Sequence, residues 1–287
     1  MADIKIVVDT SADMPQELVE KYDCGMLHFL SIFGEETYVT GVDITNAQFF
    51  EKLTSSNIFP TTSQTPYGDM YDYLLKMCKE NKSVIYFTIS SKGSGQYNTA
   101  NIVKEEILEE YPDADLHIVD TQSFSVYIAQ TAVFAAQLVQ EGKTVNEIIT
   151  QCLEYIKTWK AFLLVDTLKY LEKGGRLGKA SAVVGTLLDI KPILTIEDGL
   201  VESMDKLRGK KKLVDKLIEK VEEYPEFDSE NPEFIVIHSD NEKGEELVSK
   251  LNEKYGEGCV KMYSEFGPII GTHVATGAFA ILCRTKH

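Results

Sequence analysis

The residues that could do chemistry here are hydroxyls, one histidine and a few arginines, gathered in short glycine-rich turns. Ile89-Ser-Ser-Lys-Gly-Ser-Gly-Gln-Tyr97 ends a strand-like run and opens a helix-like one. Gly93 and Gly95 allow backbone geometries closed to other residues. The helix start beyond them offers unpaired N–H groups and a positive dipole end, which suit an anion. The phosphate-loop pattern GxxxxGK[ST] is absent, and Asn98 stands where a dinucleotide fingerprint needs its third glycine. A nucleophile elbow needs Gly-x-Ser-x-Gly, whereas Ser94 has Lys92 and Gln96 at the outer positions. A plain strand-to-helix turn with a serine cap accounts for the segment equally well.

A second cluster, Pro60-Thr-Thr-Ser-Gln-Thr-Pro66, carries hydroxyl or amide side chains at five of its seven positions. Such a run can hydrogen-bond an anion without supplying formal charge. Taken alone, it fits a polar loop capping the helix expected over Tyr67–Glu80. His273 lies in Gly271-Thr-His-Val-Ala-Thr-Gly277, a setting commoner for a packed core histidine. Its imidazole can still donate a hydrogen bond or become cationic near neutral pH, which makes it a plausible carboxylate partner. Lys206-Leu-Arg-Gly-Lys-Lys-Lys212 holds five of the 29 positive charges, and Arg176 and Lys179 sit in another glycine-rich loop. These fit either a solvated helix start or a docking patch for an acidic partner.

The elements that must position these groups alternate between strand and helix. Ile4–Val8, Ser83–Ile89 and Leu116–Val119 are apolar runs, each followed by a polar loop and then an amphipathic or apolar stretch: about Pro15–Tyr22, Tyr97–Tyr111 and Val126–Glu141. That alternation predicts a parallel sheet with helices on both faces. Its binding crevice lies beyond the carboxyl ends of the strands, where Asp9–Ser11, Ser90–Gly95 and Asp120–Ser123 fall. After about Lys160 the pattern changes. Ala161–Val165, Phe234–His238 and Cys259–Tyr263 are strand-like, and Ile193–Glu197 with Leu200–Met204 flank Asp198-Gly199, a two-residue hairpin signal. Helices are expected over Ala180–Leu188, Lys210–Tyr224 and Glu242–Tyr255, with the glycine-rich Phe266–His273 and apolar Ala275–Cys283 closing the chain. The expectation is two closely packed domains, an N-terminal α/β domain over 1–160 and a C-terminal α+β domain over 161–287.

Composition limits the function. The chain of 287 residues is 44% hydrophobic and 26% charged, as ordinary globular proteins are. Its net charge of −16 argues against nonspecific nucleic-acid binding and against adsorption to anionic lipid. No run is long and apolar enough for a membrane span, and no signal peptide is legible at the start. Five widely spaced cysteines without a CxxC or Cys/His cluster fit reduced thiols in a cytoplasmic protein rather than a metal site or a disulfide framework. No HExxH, Walker or paired-acid motif supports catalysis.

Asp9-Thr-Ser, Thr62-Ser-Gln, Ile89-Ser-Ser-Lys-Gly-Ser-Gly, Val119-Asp-Thr, Leu171-Glu-Lys-Gly-Gly-Arg, Lys191-Pro-Ile-Leu and Gly271-Thr-His occur in that order. Together they resemble the DegV family, the fatty-acid-binding subunits of bacterial fatty acid kinases, from about residue 4 to residue 283. The resemblance implies an N-terminal Rossmann-like α/β/α domain and a C-terminal α+β domain with the ligand buried at their junction. It implies a carboxylate held by Thr62 and Ser94 and supported by His273, with no metal and no cofactor beyond a long-chain fatty acid. It also implies a non-catalytic role. The acyl chain stays sequestered while a separate kinase subunit, docked through basic residues matching Arg176 and Arg208, phosphorylates the carboxylate to an acyl phosphate. Three departures stand out: Thr65 before Pro66, Gly93 where the family usually has leucine, and Val274-Ala-Thr-Gly277 in place of Gly-Pro-Gly. Burying a sixteen-carbon tail contributes on the order of 10 kcal/mol before ordering costs. The rival readings are a hydrolase or transferase with Ser94 as nucleophile and His273 as base, and a regulatory module for a small acidic ligand.

Overall fold

The structure, a computed structural model, describes residues 4–178, 190–209 and 211–286. The chain opens with β1 (Ile4–Asp9), a one-turn 3-10 helix over Thr10–Ala12, α1 (Gln16–Lys21) and β2 (Gly25–Leu27). β3 (Leu30–Phe33) and β4 (Glu36–Val39) follow, then α2 (Asn46–Ser55), β5 (Thr61–Ser63) and α3 (Tyr67–Glu80). Next come β6 (Ser83–Thr88), α4 (Gln96–Glu110), β7 (Leu116–Asp120), α5 (Val126–Gln140) and α6 (Val145–Tyr155). The remainder is β8 (Trp159–Leu164), α7 (Lys169–Gly174), the β9 (Ile190–Glu197) and β10 (Leu200–Arg208) hairpin, and α8 (Leu213–Glu222). β11 (Phe234–His238), α9 (Asn241–Tyr255), β12 (Val260–Glu265), α10 (Pro268–Val274) and β13 (Phe279–Arg284) end it.

Three sheets result: β2-β1-β6-β7, all parallel; β10-β9-β8-β13-β11-β12, mixed; and a small antiparallel β4-β3-β5. The fold is α/β, with a parallel and a mixed sheet. A strand covered on both faces must be apolar at consecutive positions, and all six residues of β6 are buried. The alternation of its side chains sorts them into layers. Val84 and Tyr86 face a cluster with α3 and α4, whereas Ile85 and Phe87 join a cluster built on α5. In β11, Ile235 and Ile237 belong to the same α5 cluster, while Phe234 and Val236 pack with α8 and α9. Helix α5 therefore shares one core with both large sheets. Ten of its 15 residues are buried, as a helix apolar nearly all round requires.

The Asp198-Gly199 turn forms as its residues demand, with φ of 47° and 73° between paired Glu197 and Leu200. The stretch read as the start of a solvated helix differs: Lys206–Arg208 completes β10, and α8 starts only at Leu213. The glycine-rich segment before His273 is helical as α10. Gly271 fits inside it because a Cβ there would come within 2.9 Å of both the Phe49 and Phe50 rings. The helix expected over 180–188, like Lys179 and Lys210, lies outside the described residues.

Candidate functional site

The loops after β1, β6 and β7 converge. Ser90 N–H donates to Ser123 O (2.9 Å), Ser91 N–H to the Asp120 carboxylate (3.1 Å) and Ser125 N–H to Ser11 O (3.1 Å). Beside them opens a cavity of about 290 Å³, near the lower end of the ~300–1,000 Å³ usual for ligand sites. One side is polar: Thr62 to Gln64 from β5 and the residue after it, Gly93 to Gly95, Arg176 and His273. The rest is mainly aliphatic and aromatic, supplied by α5, α10 and the inner face of the mixed sheet, with Ile237, Ala280 and Leu282 as examples. Four of the five residues expected at a site, Thr62, Ser94, Arg176 and His273, line this one cavity. Arg208 does not; it is exposed at the end of β10.

Ser94 sits in the turn before α4, and its Oγ accepts the Gln96 N–H at 3.2 Å. The serine thus caps its own helix, and one N–H expected to be open to an anion is taken. A hydroxyl has one proton and two lone pairs, so Ser94 can still donate. The two glycines work otherwise than anticipated. Neither has positive φ, and Gly95 is helical at φ −74°. They are needed for space. A Cβ on Gly93 would lie 2.7 Å from Phe124 Cζ and closer still to Cε1, and one on Gly95 would lie 2.6 Å from Gln64 Oε1. Gly93→Ala should therefore displace the Phe124 ring from the cavity wall and lower stability by about 1–3 kcal/mol. Urea unfolding checks this, and an unchanged midpoint would contradict the packing described.

Arg176 donates from Nε to Gly93 O at 3.0 Å and from Nη1 to Gly174 O. Its guanidinium is built into the wall beside the Ser94 turn. Arg176 is also the one formally charged side chain among the described residues lining the cavity. His273 packs against α7, where a Cβ on Gly174 would lie 2.6 Å from its Cε1, and its buried Nδ1 has no hydrogen-bond partner. Burial, reinforced by the Arg176 charge, pushes its imidazole down to about 4. At neutral pH the ring is therefore a neutral hydrogen-bond donor in this state, the first of the two roles open to it from the sequence. No hydrogen bond joins Ser94 to His273 among the described residues, and no carboxylate orients the ring.

One support behind the cavity wall is not legible in the sequence. Asp13, 8% exposed, accepts from Ser125 Oγ (2.5 Å) and from Gly267 N–H (2.8 Å), and its carbonyl accepts from Ser264 Oγ (2.6 Å). It joins the first loop to the start of α5 and to the residue before α10. Asp13 and Ser125 both hold positive φ, 50° and 58°, which non-glycine residues adopt only where the surroundings impose it.

The model of the family described as "Uncharacterised protein, DegV family" matches residues 3–286. The chain belongs to the DegV family. A protein named fatty acid-binding protein from Thermotoga maritima is 34% identical over 283 residues, covering 96% of this chain and 95% of that one. The crystal structure of DegV from Bacillus subtilis, described as a fatty acid binding protein, matches with TM-score 0.86 at 30% identity over all of both chains. A fatty acid binding DegV family protein from Streptococcus agalactiae matches with TM-score 0.85 at 28% identity, again over 100% of each chain. In this DegV-family chain, no helix among the described residues is long and apolar enough to cross a membrane. No group of three or more His, Cys, Asp or Glu among them could hold a metal ion. All five cysteines are free and buried.

Proposed function

We propose that this protein binds a long-chain fatty acid, with the acyl chain in the apolar part of the cavity and the carboxylate at Thr62, Ser94 and His273. One observation carries the reading: a mainly apolar cavity whose one formal charge among the described residues is a cation, set beside neutral donors in a protein of net charge −16. That arrangement suits a monoanion with a greasy tail. A carboxylate removed from water must be hydrogen-bonded, and the Ser94 hydroxyl, the Thr62 hydroxyl and a neutral imidazole supply donors. Arg176, fixed to Gly93 O, adds attraction without having to move. The fatty-acid-binding relatives support the same ligand class. The chain divides near residue 160, with 1–160 carrying the parallel sheet, 161–287 most of the mixed one, and the ligand held at their junction.

The protein then acts in the cytoplasm as the non-catalytic, lipid-presenting subunit of a kinase system, its partner phosphorylating the carboxylate to an acyl phosphate. Arg208, exposed at the end of β10, and Arg176, at the cavity wall, are the docking residues of this reading. The free thiols fit a reducing compartment. The hydrolase alternative is the weaker one, since no base is hydrogen-bonded to Ser94 among the described residues.

Denaturing mass spectrometry of an organic extract of the purified protein tests the ligand. A long-chain acid near one per chain is expected, in fresh or lipid-loaded samples. Absence from both would remove the reading.

A further inference from the structure

Beneath the cavity runs a buried polar chain that joins the two loops proposed to hold the head group. Gln96, fully buried at the first position of α4, is its node. Its Oε1 accepts the Thr65 N–H at 3.1 Å, and its Nε2 donates to Thr65 Oγ1 at 2.9 Å and to Tyr86 Oη at 2.7 Å. Tyr86, also fully buried, donates its hydroxyl hydrogen bond to Asp9 Oδ2 at 2.7 Å. Asp9 in turn accepts from the Ser11 N–H at 3.0 Å and from the Ser11 hydroxyl. From Gln96 through Tyr86 to Asp9 donation runs one way, while Gln96 and Thr65 each donate to the other. Meanwhile the Gln96 main-chain N–H holds Ser94 Oγ. One residue therefore grips both sides: its backbone fixes the Ser94 turn, and its side chain fixes Thr65, three residues after Thr62.

We infer that Gln96, held by Tyr86 and Asp9, is a positioning residue that sets the spacing between the Thr62 and Ser94 hydroxyls and thereby makes the cavity selective for a carboxylate head group. This rests on the fatty-acid reading above. A glutamine costs conformational freedom and desolvation to bury. An apolar residue would fill the same volume and satisfy the packing. What an apolar residue could not do is tie two separate loops in register. A fully satisfied buried network rigidifies what it joins, and a site that discriminates between polar heads depends on donors fixed to a fraction of an ångström. Burial raises the Asp9 carboxyl above its usual range, outweighing the bonds from Ser11 and Tyr86 that lower it. The chain thus ends on a group whose charge state is itself sensitive to its surroundings.

The test compares hexadecanoic acid with hexadecan-1-ol, which have the same tail and different heads, on the full-length protein stripped of lipid. Gln96→Met keeps the volume and the backbone N–H to Ser94 while cutting the side-chain links. Tyr86→Phe breaks one link from the far side and leaves α4 untouched. Wild type should favour the acid by at least about tenfold, one well-placed charged hydrogen bond being worth that much or more. Both variants should bring acid and alcohol to within about threefold while the alcohol affinity itself changes little. A merely structural role would weaken acid and alcohol together, and an unchanged ratio in folded Tyr86→Phe would overturn the inference even if Gln96→Met failed to fold. If wild type bound neither ligand, the fatty-acid reading would fall first and this inference with it. If wild type bound both with no preference, only this inference would be lost.

Discussion

Thr62→Val combined with Ser94→Ala should weaken long-chain fatty acid binding by about two to four orders of magnitude. Both hydroxyls line the polar side of the cavity, and a hydrogen bond to a charged group contributes about 1.5–3 kcal/mol. Losing two leaves a carboxylate in an apolar cavity with the His273 donor and the Arg176 charge alone. That is about 3–6 kcal/mol, or roughly 10²–10⁴ in Kd. The single variants should each lose about ten- to a hundredfold. The two residues share one ligand group, so their effects need not add. Valine preserves the shape of threonine and suits a strand, so β5 and its pairing of Thr62 with Ser31 should survive. Alanine at 94 also uncaps α4, because Ser94 Oγ holds the Gln96 N–H; a loss of about 1 kcal/mol in stability is expected from that alone. Titration calorimetry on delipidated protein, with melting curves beside it, separates the two effects. A folded double variant binding within about tenfold of wild type would mean that the carboxylate is held elsewhere.

How far the sequence reaches depends on how locally each feature is encoded. β6 was legible because a doubly covered strand must be a continuous apolar run, and the hairpin because only residues tolerant of positive φ fit Asp198-Gly199. α2 and α6 were passed over although both carry a complete capping box, Thr45 with Gln48 and Thr144 with Glu147; the signal was present and unread. β2, β3 and β4 are only three or four residues long, too short to show a period. At the site, Thr62, Ser94 and His273 were chosen by their place in an ordered set of motifs, and spacing alone would not have brought residues 62, 94, 176 and 273 to one cavity. Gly93 is needed for space rather than for backbone freedom, and its reason is the Phe124 ring, 31 positions away in the chain. Gln96 and Asp13 carried no signal: a glutamine opening a helix and an aspartate in a loop are ordinary until their partners at Thr65, Tyr86, Ser125 and Gly267 are known.

Asp13 yields the other large effect, a pH dependence of stability that Asp13→Asn should remove. Burial pushes this carboxyl from 3.8 up to about 7. The bonds from Ser125 and Gly267 oppose the rise, and the charges of Asp9 and Glu265 add to it. Between those two pH values the unfolded chain has released the proton while the folded chain keeps it. Stability from this group is therefore fully present below about pH 3.8 and lost progressively until about pH 7. The window spans about three units at 1.36 kcal/mol each, so about 4 kcal/mol is at stake. His273 works in the opposite direction: its imidazole is depressed to about 4, so its contribution is lost as pH falls from 6.5. Other carboxylates and His273 act alike in wild type and variant. The difference between the two proteins thus isolates Asp13. Asparagine can still accept from Ser125 or Gly267 but cannot titrate, so wild type should lose stability relative to Asp13→Asn from pH 4 to pH 7 and run parallel to it above. Denaturant unfolding across that range measures the difference. Parallel curves throughout would show that Asp13 is ionised in the folded state at all these pH values. The same clamp holds Ser125 in its left-handed backbone and sets the residue before α10. Ionisation strengthens these two bonds but leaves a charge buried from water, and opening the segments that carry Phe124, Ile270 and His273 into the cavity wall would hydrate it, so ligand off-rates in wild type should rise over the same pH interval in which stability falls.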